Sequence, residues 1–438
     1  MDRLPDEILL LIVDNIRLHR DKYQFLLVCR RWRSLLFKSV NQNVWIRGNR
    51  IRPLVLAIQD NPSLGSAIKD LRLHWWSPYT RKKEDHDITP VLPLVAQISQ
   101  SAEETKEWED ALKEGNQDAW LGLLLLSLEN LTGLDMHYTR RPTFLRRVIS
   151  RAAMREKPLD TKPVLQRLES LYVDASDDNK AFFPNIEFLP FFHLPSMRTV
   201  SLDSAVESVH TEMDHPAFKA SRGTSPIVSL ALRRHSNGSK GMAEFITSCA
   251  NLEQFKYRHS NQVIWGEQSS GFRPRAFYSA LCSQKHSLQV LHLEGTDVDI
   301  LTDPDEEDHN DPPDNWLGSF ADFSKLWDLQ VSVANLLIFH MSDRVPRVSS
   351  LKEILPRSLK RLYLGSFQNS QLDLVSSNLL ELVACREEFP HLEQLVIQTK
   401  FMRLIEQPSG PPLTIRQALT PLIEACEDAG IKMNIVRR

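Results

Sequence analysis

The sequence predicts an α/β chain: a short, strongly apolar helical part over residues 1–48, then an irregular stack of strand-and-helix units over residues 49–438. Two observations carry this. Residues 4–32 hold a helix start, an apolar helix and a second run that ends on an aromatic residue. Beyond them, an apolar spacing that closes on Leu-x-Leu or its equivalent returns ten times, and the period-2 alternation marks each return as a short strand.

The first element opens at Leu4-Pro5-Asp6-Glu7-Ile8-Leu9. Pro5 suits a helix start because its missing N–H is one that a helix leaves unpaired there, and Asp6 and Glu7 set negative charge against the positive end of the dipole. Ile8, Ile12 and Ile16 repeat at four-residue spacing beside Leu9 and Val13, while Leu10 and Leu11 add apolar surface outside that stripe. Such a segment carries more apolar surface than it can hide alone, and Leu9, Leu10, Ile12 and Val13 are expected to form an exposed patch. A second helical run begins at Leu27-Val28-Cys29-Arg30-Arg31-Trp32, and Trp45-Ile46-Arg47 with Leu54-Val55-Leu56 predict a packed join between the helical part and the repeating units.

The repeating unit reads Leu128-x-x-Leu131-x-x-Leu134-x-Met136, then Leu165-x-x-Leu168-x-x-Leu171-x-Val173, Leu194-x-x-Met197-x-x-Val200-x-Leu202 and Cys249-x-x-Leu252-x-x-Phe255-x-Tyr257. It returns at Leu288/Leu291/Leu293, Leu326/Leu329/Val331, Leu359/Leu362/Leu364 and Leu392/Leu395/Ile397, more weakly at Ile68/Leu71/Leu73 and Leu230/Leu232, and a last strand is expected at Ile431–Val436. Successive copies lie about 25 to 38 residues apart, except for a gap of about 63 between Leu71 and Leu134. Each gap has room for a helix and loops. Stacked units of this kind bury a continuous core that none could bury alone. A non-repeating α/β domain is the alternative.

Composition narrows the function. A net charge of -3, 42% hydrophobic and 25% charged residues describe a globular protein and argue against a nucleic-acid binder driven by phosphate neutralisation. Five cysteines with no Cys-x-x-Cys pair read as reduced thiols of a cytosolic or nuclear protein. No membrane span or secretory leader is expected, since Leu121–Leu128 is too short and Asp6-Glu7 precede the apolar run where positive charge would be needed. Catalytic and phosphate-binding motifs are missing, glycine is scarce at 15 residues, and the 14 histidines lack metal-ligand spacing, so neither metal nor cofactor is expected. Thr302–Asn315, with seven acids and three prolines, reads as a solvated insertion.

Leu-Pro-x-Glu-Ile followed by Leu-Val-Cys-Arg-Arg-Trp resembles an F-box, the three-helix module that docks substrate receptors of cullin-RING ubiquitin ligases on the Skp adaptor. The later pattern is similar to leucine-rich repeats, which build a horseshoe solenoid with a parallel sheet on its concave face. It departs from regular repeats where Thr139, Ser176, Ala205, Thr296, Phe367 and Lys400 stand in place of the turn-bonding Asn or Cys. The resemblance implies a non-enzymatic substrate receptor with Leu4, Pro5, Ile8, Leu9, Ile12, Val28 and Trp32 on the adaptor, Trp32 and Ile12 having the module's own small core as an alternative place, Glu7 and Arg31 at the rim, and cullin and RING subunits reached through it. If the leucines point inward, strand geometry turns their neighbours to the concave face: Arg72 and His74, Asp135 and His137, Tyr172 and Asp174, Ser201 and Asp203, Lys256 and Arg258, His292 and Glu294, Tyr363 and Gln398. That face suits a protein substrate. A scaffold outside any ligase and a solenoid that binds a small ligand are the other readings.

Overall fold

A computed structural model of the chain describes residues 4–16, 19–77, 85–139, 142–175, 182–207, 215–260, 272–295, 316–337, 350–365, 372–399, 405–407 and 410–437. The acidic stretch 302–315 lies outside the described residues, as do residues 78–84. The chain forms two compact units, Met1–Val200 with Glu212–Lys219, and Ser201–Thr211 with Ala220–Arg438.

The first unit opens with three helices, α1 (Asp6–Asp14), α2 (His19–Leu26) and α3 (Arg30–Asn41). Pro5 caps α1 with its carbonyl, which accepts the N–H groups of Ile8 at 3.1 Å and Leu9 at 3.2 Å. Cys29 caps α3, its sulfur accepting the Trp32 N–H at 3.5 Å. Leu9, Val13, Trp32, Leu36 and Val40 form the buried centre, and Phe25 stacks on Trp32 with ring centroids 5.3 Å apart. The module therefore has its own small core.

Only Gln42 separates α3 from the strand β1 (Asn43–Arg47), and its carbonyl accepts both the Lys69 N–H at 2.8 Å and the Asp70 N–H at 2.9 Å. The join is packed, as Trp45-Ile46-Arg47 implied. Strand β1 pairs in parallel with β2 (Asp70–His74), β2 with β3 (Gly133–Tyr138), and β3 with β4 (Ser170–Ala175). Leu71, Leu134 and Leu171 stand in one buried row, and Leu73, Met136 and Val173 in the next. Helix α4 (Ile51–Asp60) lies in the connection from β1 to β2, and the long gap between β2 and β3 is filled by further helices, among them α5 (Ala102–Lys113) and α6 (Gln117–Leu126). Helix α6 is apolar all round and buried all round, which is how a run such as Leu123–Leu126 is accommodated without a membrane. Its Asp118 is itself buried and accepts the N–H groups of Phe144 at 2.8 Å and Leu145 at 3.0 Å, capping the next helix, α7 (Thr143–Met154), from a distance.

In the second unit β6 (Ser229–Ser236), β7 (Gln254–His259), β8 (Val290–Glu294), β9 (Asp328–Ser332), β10 (Arg361–Gly365), β11 (Gln394–Thr399) and β12 (Lys432–Arg437) pair in parallel in chain order; β5 (Thr199–Asp203) precedes them. Register aligns Leu230, Phe255, Leu291, Leu329, Leu362, Leu395 and Met433 in one ladder. Every Leu-x-Leu return in the sequence is thus a strand, and its leucines face a core shared with short helices such as those at Pro274–Leu281, Leu372–Ala384 and Thr420–Asp428. Strand β1 is the addition, since Val44 and Ile46 alternate without the upstream leucine spacing. Among the described residues no helix is long and apolar enough to cross a membrane.

Candidate functional site

On the helical module, the chain's polar ties point one way and its spare apolar surface another. Arg31 donates to Asp6 at 2.6 Å and to the Leu4 carbonyl at 2.9 Å, holding the start of α3 against the start of α1. Ile8, Leu11 and Ile12 then lie exposed along α1 at helical spacing, with Leu27, 77% exposed, and Val28 on the turn before α3. This corrects two expected adaptor contacts. Leu9 and Trp32 are 1% and 3% exposed and pack into the module's own core, so they cannot meet a partner without unfolding it. Leu4 is half-buried against that core; Pro5, Glu7, Ile8, Ile12 and Val28 are exposed. The expected patch of Leu9, Leu10, Ile12 and Val13 is likewise replaced by Ile8, Leu11, Ile12, Leu27 and Val28, because Leu9 and Val13 turn inward.

The sheet face opposite the leucines in the first unit carries two rows read from register. One runs Trp45, Arg72, Asp135, Tyr172; the other pairs Arg47 with His74 and His137 with Asp174 on neighbouring strands. The His74 and His137 rings meet edge to face at 4.4 Å, and each is flanked by a tryptophan, Trp45 at 5.8 Å from His74 and Trp75 at 5.5 Å from His137. Trp45 is 75% exposed and Trp75 58%, and the latter sits in the left-handed region at φ 56, where a bulky side chain is strained. Burial, and then the charge of His137, lower the His74 pKa below its ordinary value despite Asp135 and Asp174. Burial raises the Asp135 carboxyl above its usual value, with His74 and Arg72 pulling it back. The carboxylates stand at 3.9 Å from Arg72 and 3.8 Å from His137, beyond hydrogen-bond range. Arg72 is exposed as expected, His74, Tyr172 and Asp174 are half-buried, and His137 is buried. Neither tryptophan was among the sequence candidates.

In the second unit the corresponding face runs Ala231, Lys256, His292, Gln330, Tyr363, Val396, Asn434, with Arg258 beside Glu294 on the next row. Asp328 is buried among His292, whose Nε2 is 3.0 Å away, and Arg361, which reaches both its carboxylate oxygens. Burial raises its pKa, but the bonds from His292 and Arg361 outweigh that and leave the carboxyl below the ordinary value. Asp203 and Ser201, expected on the open face, are buried, and Arg234 lies over Asp203 at 2.8 Å. His292, Glu294, Tyr363 and Gln398 are half-buried; Lys256 and Arg258 are exposed.

Away from these faces, a cleft of about 680 Å³ opens in the first unit beside Ile58, Ser63, Leu94, Leu126 and Pro158. Its charged rim residues, Lys162 and Glu129, pair with each other at 3.4 Å, and among the described residues no cluster of His, Cys, Asp or Glu could hold a metal.

Residues 46–407 match the leucine-rich repeat domain family, and residues 1–44 match the F-box-like family. The chain is an F-box and leucine-rich repeat protein. The F-box match stops at residue 44 and the repeat match resumes at 46, so the two meet inside the single strand β1. No curated protein matches the chain. The repeat domain keeps the parallel ladder without the regular turn asparagine, although the Asn237 side chain donates from Nδ2 to the Ser260 carbonyl at 3.2 Å.

Proposed function

We propose that this F-box and leucine-rich repeat protein is the substrate-recognition subunit of an SCF-type cullin-RING ubiquitin ligase. Residues 1–48 dock on the Skp adaptor, which brings the cullin and RING subunits, and residues 49–438 hold a protein substrate. The observation that carries the reading is a module whose core is complete yet which still exposes Ile8, Leu11, Ile12, Leu27 and Val28, apolar surface that a monomer would not leave bare. Pro5, Glu7 and Arg31 form its polar rim. The chain does no chemistry of its own in this role. It raises the local concentration of substrate lysines at the charged conjugating enzyme. Five unbridged cysteines fit the reducing cytosol or nucleus.

Affinity purification of the full chain tests the reading: adaptor and cullin together support it, adaptor alone makes the protein a scaffold, and neither removes it. The exposed tryptophans supply a second expectation. Large aromatic side chains at an interface centre carry much of its binding energy, so the pair Trp45→Ala and Trp75→Ala should weaken substrate capture by about tenfold or more, with the adaptor still bound. Capture unchanged in the doubly substituted chain would place substrate elsewhere.

A further inference from the structure

We infer that the open face of the second unit takes an extended, carboxylate-rich segment of the substrate, with Lys256 and Arg258 as its charge partners. This rests on the receptor reading above and adds the chemistry of what is received. The inference comes from which charges on that face are already occupied. Asp203 is covered by Arg234 at 2.8 Å. Asp328 is held by His292 and Arg361. Glu294, although its backbone is aligned with Arg258, accepts from Gln330 Nε2 at 3.2 Å on the opposite side. Each of these acids is thus engaged within the unit, whereas Lys256 and Arg258 stand exposed, and among the described residues neither has an acid within ion-pair distance. Lys432, at the far edge, is exposed too. The face is therefore cationic in a chain whose net charge is -3.

Spacing selects the form of the partner. Lys256 and Arg258 are two apart on one strand, so their side chains rise from the same face about 7 Å apart. That is the repeat of same-face side chains on another extended chain, and it fits carboxylates at alternate positions. A compact phosphate group asks instead for basic side chains that converge on one point. Half-buried His292 stands beside Lys256 on the next strand and supplies contact for the segment's backbone and uncharged side chains.

The test uses the full chain purified with its adaptor and three fluorescent probes: a peptide alternating glutamate with alanine, its glutamine counterpart, and a thymidine oligonucleotide of equal charge. The glutamate peptide is expected to bind, the glutamine peptide is not, and added salt should weaken the complex. Lys256→Glu with Arg258→Glu should cost about tenfold in affinity, while Lys106→Glu with Arg222→Glu, which changes net charge equally on exposed residues elsewhere, should cost nothing. Lys256→Arg with Arg258→Lys should retain binding, and thermal melting controls for fold. Equal binding of the glutamine peptide, indifference to the charge reversal, or tighter binding of the oligonucleotide through the same two residues each overturns the inference. Adaptor and cullin capture is scored on the same samples. Its loss with peptide binding intact overturns the ligase reading alone; its retention with peptide binding absent overturns the acidic-segment inference alone.

Discussion

A chain carrying Ile12→Asp and Val28→Asp is expected to lose the Skp adaptor by more than about a hundredfold, because a carboxylate driven into an apolar interface without a partner costs several kcal/mol per site. Both residues are exposed and neither belongs to the buried centre, so the unfolding temperature of the chain should hardly move. Leu9→Asp is the instructive contrast. Leu9 packs among Val13, Trp32, Leu36 and Val40, and a charge there should unfold the module at a cost of about 3 kcal/mol or more. Co-purification would fall in both variants, but only Leu9→Asp should lower helical signal and hydrogen-exchange protection over α1 to α3. Adaptor bound normally by a folded Ile12→Asp, Val28→Asp chain would remove this surface from the interface.

The second large effect belongs to Asp328. Its replacement by alanine leaves Arg361 and His292 facing a site built for a carboxylate, and with Arg361 partly in solvent the loss of stability should be about 2 kcal/mol. The direction of the pKa shift sets the pH dependence. The folded carboxyl titrates below its ordinary value of 3.8, so its contribution is complete above that value and disappears as the pH falls through the folded pKa. Urea unfolding at neutral pH and near pH 3 should show the native chain losing stability on acidification, and Asp328→Ala losing less. Equal acid losses in the two chains would place the sensitivity at other carboxylates.

What could be read from the residues and what could not have different physical causes. A strand with one buried face repeats with period two, and each Leu-x-Leu gave its strand and its inward side without ambiguity. Helix α1 is apolar on two adjoining stripes, so periodicity showed Ile8, Leu9, Ile12 and Val13 together and could not say which pair met the core; α2 and α3 decide that by supplying Phe25, Trp32 and Leu36 on one side only. Trp75 defeated alternation outright. Strand period would turn it inward after His74, but its positive φ swings it out over His137 and leaves Trp76 to be buried in its place. Asp118 and Asp328 were not marked by the sequence because their partners, the first N–H groups of α7 and the side chains of His292 and Arg361, lie 26 to 36 residues away.

The one-residue passage from α3 to β1 fixes more than a boundary. Gln42 is gripped by two backbone N–H groups from the turn ahead of β2, and both family matches meet within the adjoining strand β1. Nothing there can act as a swivel. If the chain serves a ligase as proposed, the module and the first four strands move as one lever, and a protein captured on those strands is offered at a set reach instead of sweeping through a volume. Which of its lysines are modified becomes a question of distance measured from the first rung of the sheet.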